Sequence, residues 1–378
     1  MLRLLHMSDV RLGAAHPELG SAGARQRERQ WDAFERALAF AVSEHAALVI
    51  VAGDLFDTNA QPRRAVERAA RALGRAVSAG LTVALLPGDL DADGPASAYR
   101  TWDLAALGGV AGADRVHVLD PHRPTLVLPA LDVAIRAYAA DETTTIDETL
   151  VAPRDEDEPG VRVKLGVAHL PQGAEPPSDA ALAASGLHYL ALGGSMTLRT
   201  AGGGPGSYGD PGPLESVGPA GDVGHALLVT IDEAARDRVR IEARIVGRTR
   251  RLRLELPASD FADEAALAEH LAALADPDLA CDVRLTGLRG PELRIDEAAL
   301  EARLGPGFFH LRIVDAATAS PPPPPEPVPE SIAGAFVRDV GTRMAAAVAE
   351  GRTSDARELG EQLEWGTRLL AASTGMPV

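Results

Sequence analysis

Three short apolar runs, residues 2–9, 47–54 and 81–89, each end in an aspartate: Ser8-Asp9, Gly53-Asp54 and Gly88-Asp89. Runs without polar alternation suit strands buried on both faces, as in a parallel sheet covered by helices. Between them, Trp31, Phe34, Leu38 and Val42 recur at helical spacing over 24–46, and 61–79 returns to helix. Strand, helix, strand, helix, strand predicts a layered α/β domain. In such sheets functional groups gather beyond the carboxyl ends of the strands, so Asp9, Asp54 and Asp89 are expected to converge. Neighbouring carboxylates repel one another and raise at least one pKa. A divalent cation is a common way to settle them, and two metals about 3.5–4 Å apart suit phosphate-ester hydrolysis.

Shorter strands are expected near 124–128, 132–138, 162–168 and 188–192, with a helix near 178–185. Residues 201–224 are rich in Gly and Pro and are expected to be loop. Strands near 225–231 and 238–246 predict an antiparallel hairpin across Asp232–Asp237. Charged and apolar residues then alternate over 251–256, a half-buried strand that opens a small second α/β unit with helices at 264–275 and 296–303 and strands at 281–287 and 308–314. Residues 321–329 hold seven prolines in nine positions, a stiff polyproline II spacer. Beyond it, Ile332, Phe336, Val340, Met344 and Val348 mark one amphipathic helix, and Leu359, Leu363, Trp365, Leu369 and Leu370 a second. The expected organisation is a main domain over 1–248, a small α/β domain over 249–318, a Pro-rich linker over 319–330 and a helical tail over 331–378. So small a tail packs back on the body or docks onto a partner, and a rigid spacer favours docking.

Lys and Arg number 37 against 54 Asp and Glu, a formal charge of −17. A surface this acidic repels nucleic-acid phosphates in general; only a local basic groove or a bound metal reverses that. Two arginine islands, Arg25, Arg27 and Arg29, and Arg248, Arg250, Arg251 and Arg253, are either solvated faces or contacts for DNA phosphates. The single Cys281 excludes a disulfide framework and a multi-cysteine metal site, and with the absence of a leader-like N-terminus it points to the cytoplasm. No apolar run is long enough to span a membrane. The Gly-rich Ala201–Ser207 stretch lacks the spacing of a phosphate-binding loop.

The motifs Ser8-Asp9-Val10-Arg11, Gly53-Asp54-Leu55-Phe56-Asp57, Gly88-Asp89-Leu90-Asp91, Val167-Ala168-His169 and Gly193-Gly194-Ser195-Met196 occur in that order. The chain resembles the calcineurin-like metallophosphoesterases, and within them the SbcD and YhaO type of DNA-repair exonucleases. That family carries D-x-H, G-D-x-x-D, G-N-H-[DE], a later H and G-H-x-H. Leu5-His6-Met7-Ser8-Asp9, Tyr189-Leu190-Ala191-Leu192-Gly193, Leu214-Glu215-Ser216 and Gly224–Val229 extend the likeness. The resemblance implies a layered metallophosphoesterase sandwich, a small capping domain, and a helical tail that pairs with an SMC-like coiled-coil ATPase. It also implies DNA as a ligand and a homodimer as a family-like state.

By the same resemblance Asp9, Asp54, Asp89 and His169 are metal ligands, with aspartate in place of asparagine at 89. Asp57 supports Asp54. Arg11 stands where a metal-binding histidine is expected, and Leu90 where the histidine serving the leaving group is expected. Asp91, which orients that histidine in the family, is left without its usual duty. Gly194 and Met196 replace both histidines of the last motif. A guanidinium is always charged and does not replace a neutral imidazole on a metal; Arg11 is expected to reach Asp9 or Asp54 and neutralise them. His6, His188 and His225 are the other histidines near these segments: His6 lies within a strand before the tip, His188 precedes a strand at the wrong end, and His225 follows a loop from which it can approach the site. The cofactor expected is one Mn²⁺ or Mg²⁺, or none. Two functions follow: a catalytically degraded subunit beside an SMC-like ATPase, or an active phosphodiesterase or exonuclease with a reduced metal site. In the second, the missing histidine costs about 10²–10⁴-fold in rate.

Overall fold

The computed structural model describes the chain except for residues 111–114, 123–124, 140–143, 153–159, 203–205, 219–220, 233–237, 291, 320–330, 351 and 374–378. The proline spacer therefore lies almost wholly outside the described residues. By compactness the chain divides into two units: Met1–Leu254 with Leu271–Val283 and Ala298–Ile313, and Glu255–His270 with Arg284–Glu297 and Val314–Val378.

The first unit is built on two six-stranded sheets. The three aspartate-tipped runs become β1 (Leu2–Met7), β2 (Leu48–Ala52) and β3 (Thr82–Leu86), with α1 (Gly23–Ser43) and α2 (Arg63–Ser78) as crossovers. β1–β2 and β2–β3 pair in parallel, Leu4 opposite Leu48 and Leu48 opposite Thr82. Short helices α3 (Ala98–Thr101) and α4 (Leu104–Leu107) precede the edge strand β4 (Val116–Val118). The second sheet uses β5 (Leu126–Leu128), β6 (Val133–Ala139), β7 (Val163–His169), β8 (Tyr189–Gly193), β9 (Arg199–Ala201) and β10 (Ser207–Asp210), with α5 (Ile146–Val151) and α6 (Asp179–Ser185) between them. β11 (His225–Ile231) and β12 (Val239–Ile245) form the expected hairpin and return to the first sheet. The strand orders are β12-β11-β1-β2-β3-β4 and β5-β6-β7-β8-β10-β9.

The sheets face each other across Leu4, Leu48, Ile50, Ile135, Leu165, Val167, Tyr189 and Val229. Trp31, Phe34, Leu38, Val66 and Leu73 cover the outer face of the first sheet, and Ile146, Leu150 and Leu182 that of the second. Helix, sheet, sheet, helix is the layered sandwich expected. The one clear departure is β10. Residues 207–210 form a strand inside the stretch expected to be loop, beside β8 and β9. Its glycine hid it: a Cβ at Gly209 would lie 2.5 Å from both Leu227 Cδ1 and the Tyr189 hydroxyl, so no larger residue fits there.

Strands β13 (Arg250–Pro257), β14 (Leu279–Thr286) and β16 (His310–Asp315) make a three-stranded sheet in that order. β15 (Leu288–Arg289) pairs in parallel with β17 (Thr318–Ala319), and α7 (Glu264–Ala272) and α8 (Glu297–Leu304) lie between these strands in the chain. In the second unit α9 (Ile332–Ala349) and α10 (Thr353–Ser373) form a hairpin around Val340, Ala347 and Leu359. Ser331 caps α9 by accepting the Gly334 N–H at 3.0 Å, and Arg357 pairs with Asp260 at 2.5 Å. Ile332, Val348, Trp365 and Leu369 remain exposed, which is a large apolar display for two helices. No helix among the described residues is long and apolar enough to cross a membrane.

Candidate metal centre

Beyond the carboxyl ends of β1 and β2 the backbone keeps pairing without regular strand geometry. The N–H groups of Asp9, Arg11 and Leu12 donate to the carbonyls of Gly53, Asp54 and Leu55 at 3.1, 2.8 and 2.9 Å. Asp9, Arg11 and Asp54 have φ of 48°, 52° and 51°, a left-handed conformation that residues with a Cβ seldom adopt. Such strain persists only where surrounding contacts enforce it, and it concentrates at functional sites. Here it turns both carboxylates inward, and Asp9 and Asp54 are buried.

His169 closes the group from the end of β7. Its Nδ1 lies 3.0 Å from the Ala52 carbonyl, which places the proton on Nδ1 and leaves Nε2 free, 3.7 Å from Asp54 Oδ2. This is how metal-ligating histidines are commonly oriented. One ligand atom from each of Asp9, Asp54 and His169 lies within 4.8 Å of the others. Glycines permit the approach: a Cβ at Gly53 would lie 1.9 Å from His169 Nδ1, and one at Gly88 would lie 2.2 Å from Asp54 Oδ1.

The charges agree with this geometry. Burial pushes the Asp54 carboxyl up to about 6; His169 and the Leu90 N–H oppose the rise, while Asp91 and Asp9 add to it. Burial works against a charged His169, yet the Asp9 and Asp54 carboxylates with the Ala52 carbonyl outweigh it and raise its pKa. Two carboxylates and one imidazole with a free Nε2 fit one divalent cation.

The positions where the family carries its other site residues behave differently. Leu90 is half-buried, and its backbone N–H donates to Asp54 Oδ1 at 2.9 Å. Gly194 donates its N–H to Asp9 Oδ2 at 3.0 Å. It has φ of 97°, and a Cβ there would lie 1.9 Å from the Leu170 carbonyl oxygen, so this backbone has no room for a histidine. Ser195 closes the same turn through the Thr197 carbonyl and N–H, and Met196 is half-exposed. Asp89 is exposed after β3 and stands outside the close group, though its charge still reaches His169.

One expectation is corrected. Arg11 does not pair with Asp9 or Asp54. Its Nε lies 3.2 Å from Asp57, because the continued β1–β2 pairing sets Arg11 alongside residues 54–57. Asp91, left without the family's histidine to orient, is fully buried and bonds the loops instead: it accepts N–H groups from Gly88 at 2.8 Å and Phe56 at 3.0 Å and the hydroxyl of Tyr99. It thereby fastens the β3 loop to the β2 loop. Several arginines of the two islands have partners within the chain, while Arg253 is exposed. Arg25 donates to the Phe309 carbonyl at 2.7 Å, and Arg29 and Arg248 reach Asp278 at 2.6 and 3.4 Å. Arg250 pairs with Asp276, and Arg251 reaches Glu18 at 2.8 Å.

The remaining histidines lie outside the group. His6 is fully buried with Nδ1 2.8 Å from the Tyr189 hydroxyl, and burial pushes its pKa down to about 3. His188 accepts the Lys164 N–H at 3.2 Å. His225 opens β11, opposite Ile245, with Asp222 as its charged neighbour.

Residues 2–181 match the calcineurin-like phosphoesterase family. Over these residues the chain carries a calcineurin-like phosphoesterase domain. It is similar to the DNA double-strand break repair protein Mre11 of Sulfolobus acidocaldarius, 36% identical over 24% of this chain and 22% of that protein. The Mre11 protein of Saccharolobus solfataricus is 32% identical over 40% of this chain and 36% of its own length. The matched segments thus span little more than a third of these relatives at most. The solved structure of TT1561 of Thermus thermophilus is 14% identical, covers 65% of this chain and 99% of that one, and has a TM-score of 0.40.

One buried carboxylate near Asp9 was not legible in the sequence. Asp210, at the end of β10, is fully buried; it accepts the Gly212 N–H at 3.1 Å and lies 3.3 Å from Arg199. Burial and the nearby Asp9 charge push it up to about 7. The Tyr208-Gly209-Asp210-Pro211-Gly212 string reads as turn chemistry, so only the hidden strand reveals where Asp210 goes.

Proposed function

We propose that this protein is a metallophosphoesterase relic. It keeps one divalent-metal position, has lost rapid phosphodiester hydrolysis, and serves as a non-catalytic subunit of a DNA-repair assembly. Residues 249–318 act as its cap, and α9–α10 as the arm that docks an SMC-like coiled-coil ATPase. Mn²⁺ or Mg²⁺ is the ion expected at Asp9, Asp54 and His169, with Asp89 as the further oxygen ligand that the family resemblance implies. When bound, the ion would supply Lewis-acid charge to a phosphate oxygen.

The observation that carries the reading is the Gly194 amide. Where the family motif has a histidine, a backbone N–H holds Asp9, in a conformation closed to any Cβ. The second metal position has therefore lost its nitrogen ligand at this point together with the space for one. Leu90 offers no proton to a leaving group, which by itself lowers the rate about 10²–10⁴-fold. The exposed Ile332, Trp365 and Leu369 support docking of the tail, since apolar side chains at this density are seldom left to water. The Mre11 relatives support a DNA-repair setting.

Calorimetric titration of Mn²⁺ into the purified protein, with Asp54→Ala beside it, tests the reading. One ion per chain, lost in Asp54→Ala, with no Mn²⁺-dependent cleavage of linear DNA, is expected. Two ions per chain, or Mn²⁺-dependent cleavage abolished by Asp54→Ala, overturns it in favour of an active nuclease.

A further inference from the structure

β12 closes the first sheet at one edge, and among the described residues it pairs with β11 alone. The bonds at the hairpin's two ends show which of its backbone groups face outward. The Asp232 N–H donates to the Arg238 carbonyl at 2.8 Å, and the Val246 N–H to the Gly224 carbonyl at 3.0 Å. Hydrogen-bonded pairs alternate along an antiparallel ladder, so Arg240, Glu242 and Arg244 also bond to β11. Val239, Ile241, Ala243 and Ile245 turn their N–H and C=O groups to the open edge. The two sets point their side chains to opposite faces. Val239 and Ile241 pack against the layer between the sheets, whereas Ala243 is exposed and Ile245 is 60% exposed. On the outer face Arg240 lies 2.8 Å from Glu242, and the Arg244 guanidinium stands 5.0 Å from the Phe40 ring.

Edges are commonly guarded by prolines, bulges or lysines. β12 has no proline or lysine, its pairing with β11 runs without a bulge, and its outer charges alternate in sign. Such an edge accepts a further strand, and this one is complementary to itself. A twofold axis normal to the sheet sets two copies of β12 antiparallel, with like faces continuous. Centred on Ala243, the pairing sets Glu242 opposite Arg244 of the second copy, and Arg244 opposite its Glu242. These are non-hydrogen-bonded positions, where facing side chains come closest. Ile241 then lies opposite Ile245, and the outward backbone groups of Ile241, Ala243 and Ile245 all find partners. Centred on Glu242, the same strands would set Arg240 against Arg244 and Glu242 against itself. Centred on Ile241, they would match charges but leave Ile245 in water. We infer that two copies of this chain associate through β12, by antiparallel pairing centred on Ala243 that makes their first sheets continuous. A second copy suits this edge better than a foreign strand, because its charges and its isoleucines both match under reversal. None of Asp9, Asp54 and His169 takes part, so the inference stands or falls independently of metal binding.

Sedimentation velocity of the full chain in EDTA, from about 1 to about 100 µM, tests it. A concentration-dependent equilibrium of monomer and dimer is expected. Ala243→Pro removes an N–H that faces only the edge, a position where strands tolerate proline, and should weaken the dimer at least about tenfold. Glu242→Arg sets like charges opposite one another and should weaken it about tenfold. Adding Arg244→Glu to that variant restores opposite charges and should return the dimer to within about threefold of its native strength. Arg240→Glu faces no charge in this register and should change it less than about threefold. Unchanged melting temperatures will show that the variants fold, and the charge swap carries the test if Ala243→Pro does not. A monomer at every concentration overturns the proposal. So does a dimer indifferent to both Ala243→Pro and Glu242→Arg, which places the contact on another face. A large effect of Arg240→Glu, or a swap that fails to restore the dimer, overturns the Ala243-centred pairing.

Discussion

The two halves of the metal centre hold their carboxylates by different means. On the β1, β2 and β7 side, side chains do it: Asp9 and Asp54 sit in strained left-handed turns, and His169 is aimed by its bond to the Ala52 carbonyl. On the β3 and β8 side, Asp89 stands outside the close group, Leu90 and Gly194 stand where the family carries histidines, and backbone amides face the same carboxylates, Leu90 N–H on Asp54 and Gly194 N–H on Asp9. The His169 imidazole and the Leu90 amide both favour a charged Asp54 against its burial. On the proposed reading, such a fold gives up a metal and keeps the geometry of its strand tips because the backbone takes over the hydrogen bonding.

Restoring a histidine is the strongest way to break this comparison. If the two halves differ only in side chains, Gly194→His should recreate a second metal position. The geometry says otherwise. At φ of 97°, with a Cβ 1.9 Å from the Leu170 oxygen, a histidine forces the turn open and removes the amide from Asp9. The expected loss is about 4 kcal/mol, combining left-handed strain, steric overlap and a lost charge-assisted bond. That corresponds to roughly 8–16 °C in melting temperature for a domain this large, with calorimetry still finding no second Mn²⁺. Near-wild-type stability together with a second bound ion would show that the halves are interchangeable.

Asp91→Ala sharpens the comparison from the β3 side. Asp91 accepts from Gly88, Phe56 and Tyr99 while fully buried, so its removal strands two amides and a phenol. Unsatisfied buried donors cost about 1–3 kcal/mol each before any water enters; partial relaxation leaves an expected loss of about 3 kcal/mol. The loop it fastens also carries the Leu90 amide, so Mn²⁺ affinity should fall although Asp91 is outside the candidate ligand group. An unchanged affinity would mean that the Leu90 amide contributes nothing to holding Asp54.

The intact half was largely legible in the sequence because its signals are local. A largely apolar run ending in an aspartate points to a buried parallel strand with a carboxylate at its tip. That is why Asp9 and Asp54 could be placed together, and the family motif added His169. The other half depends on backbone direction, which side-chain types do not report. Nothing in the letters Leu90 and Gly194 says that their N–H groups face the carboxylates. Nor does Asp210 in a Gly- and Pro-rich string announce a buried strand, since its place depends on Tyr189 and Leu227 leaving room only for Gly209. Arg11 was misjudged for a related reason. Charge alone suggested Asp9 or Asp54, while the pairing of the strand extensions hands it to Asp57.

Arg11→Gln gives the smallest expected effect and decides what that misjudgement means. The Arg11 and Asp57 side chains are 26% and 30% exposed, so their ion pair is partly screened and contributes under about 1 kcal/mol. Stability should barely move. If Arg11 stood in for a missing cation, removing its charge would expose the Asp9–Asp54 pair and raise Mn²⁺ affinity more than about tenfold, the change that roughly 1.4 kcal/mol of released repulsion produces. With Arg11 turned to Asp57, and with Gly194 and Leu90 already bonded to the two carboxylates, the expected change is no more than about threefold. A tenfold rise would restore the guanidinium as the neutralising group; a small one leaves that part to the two amides.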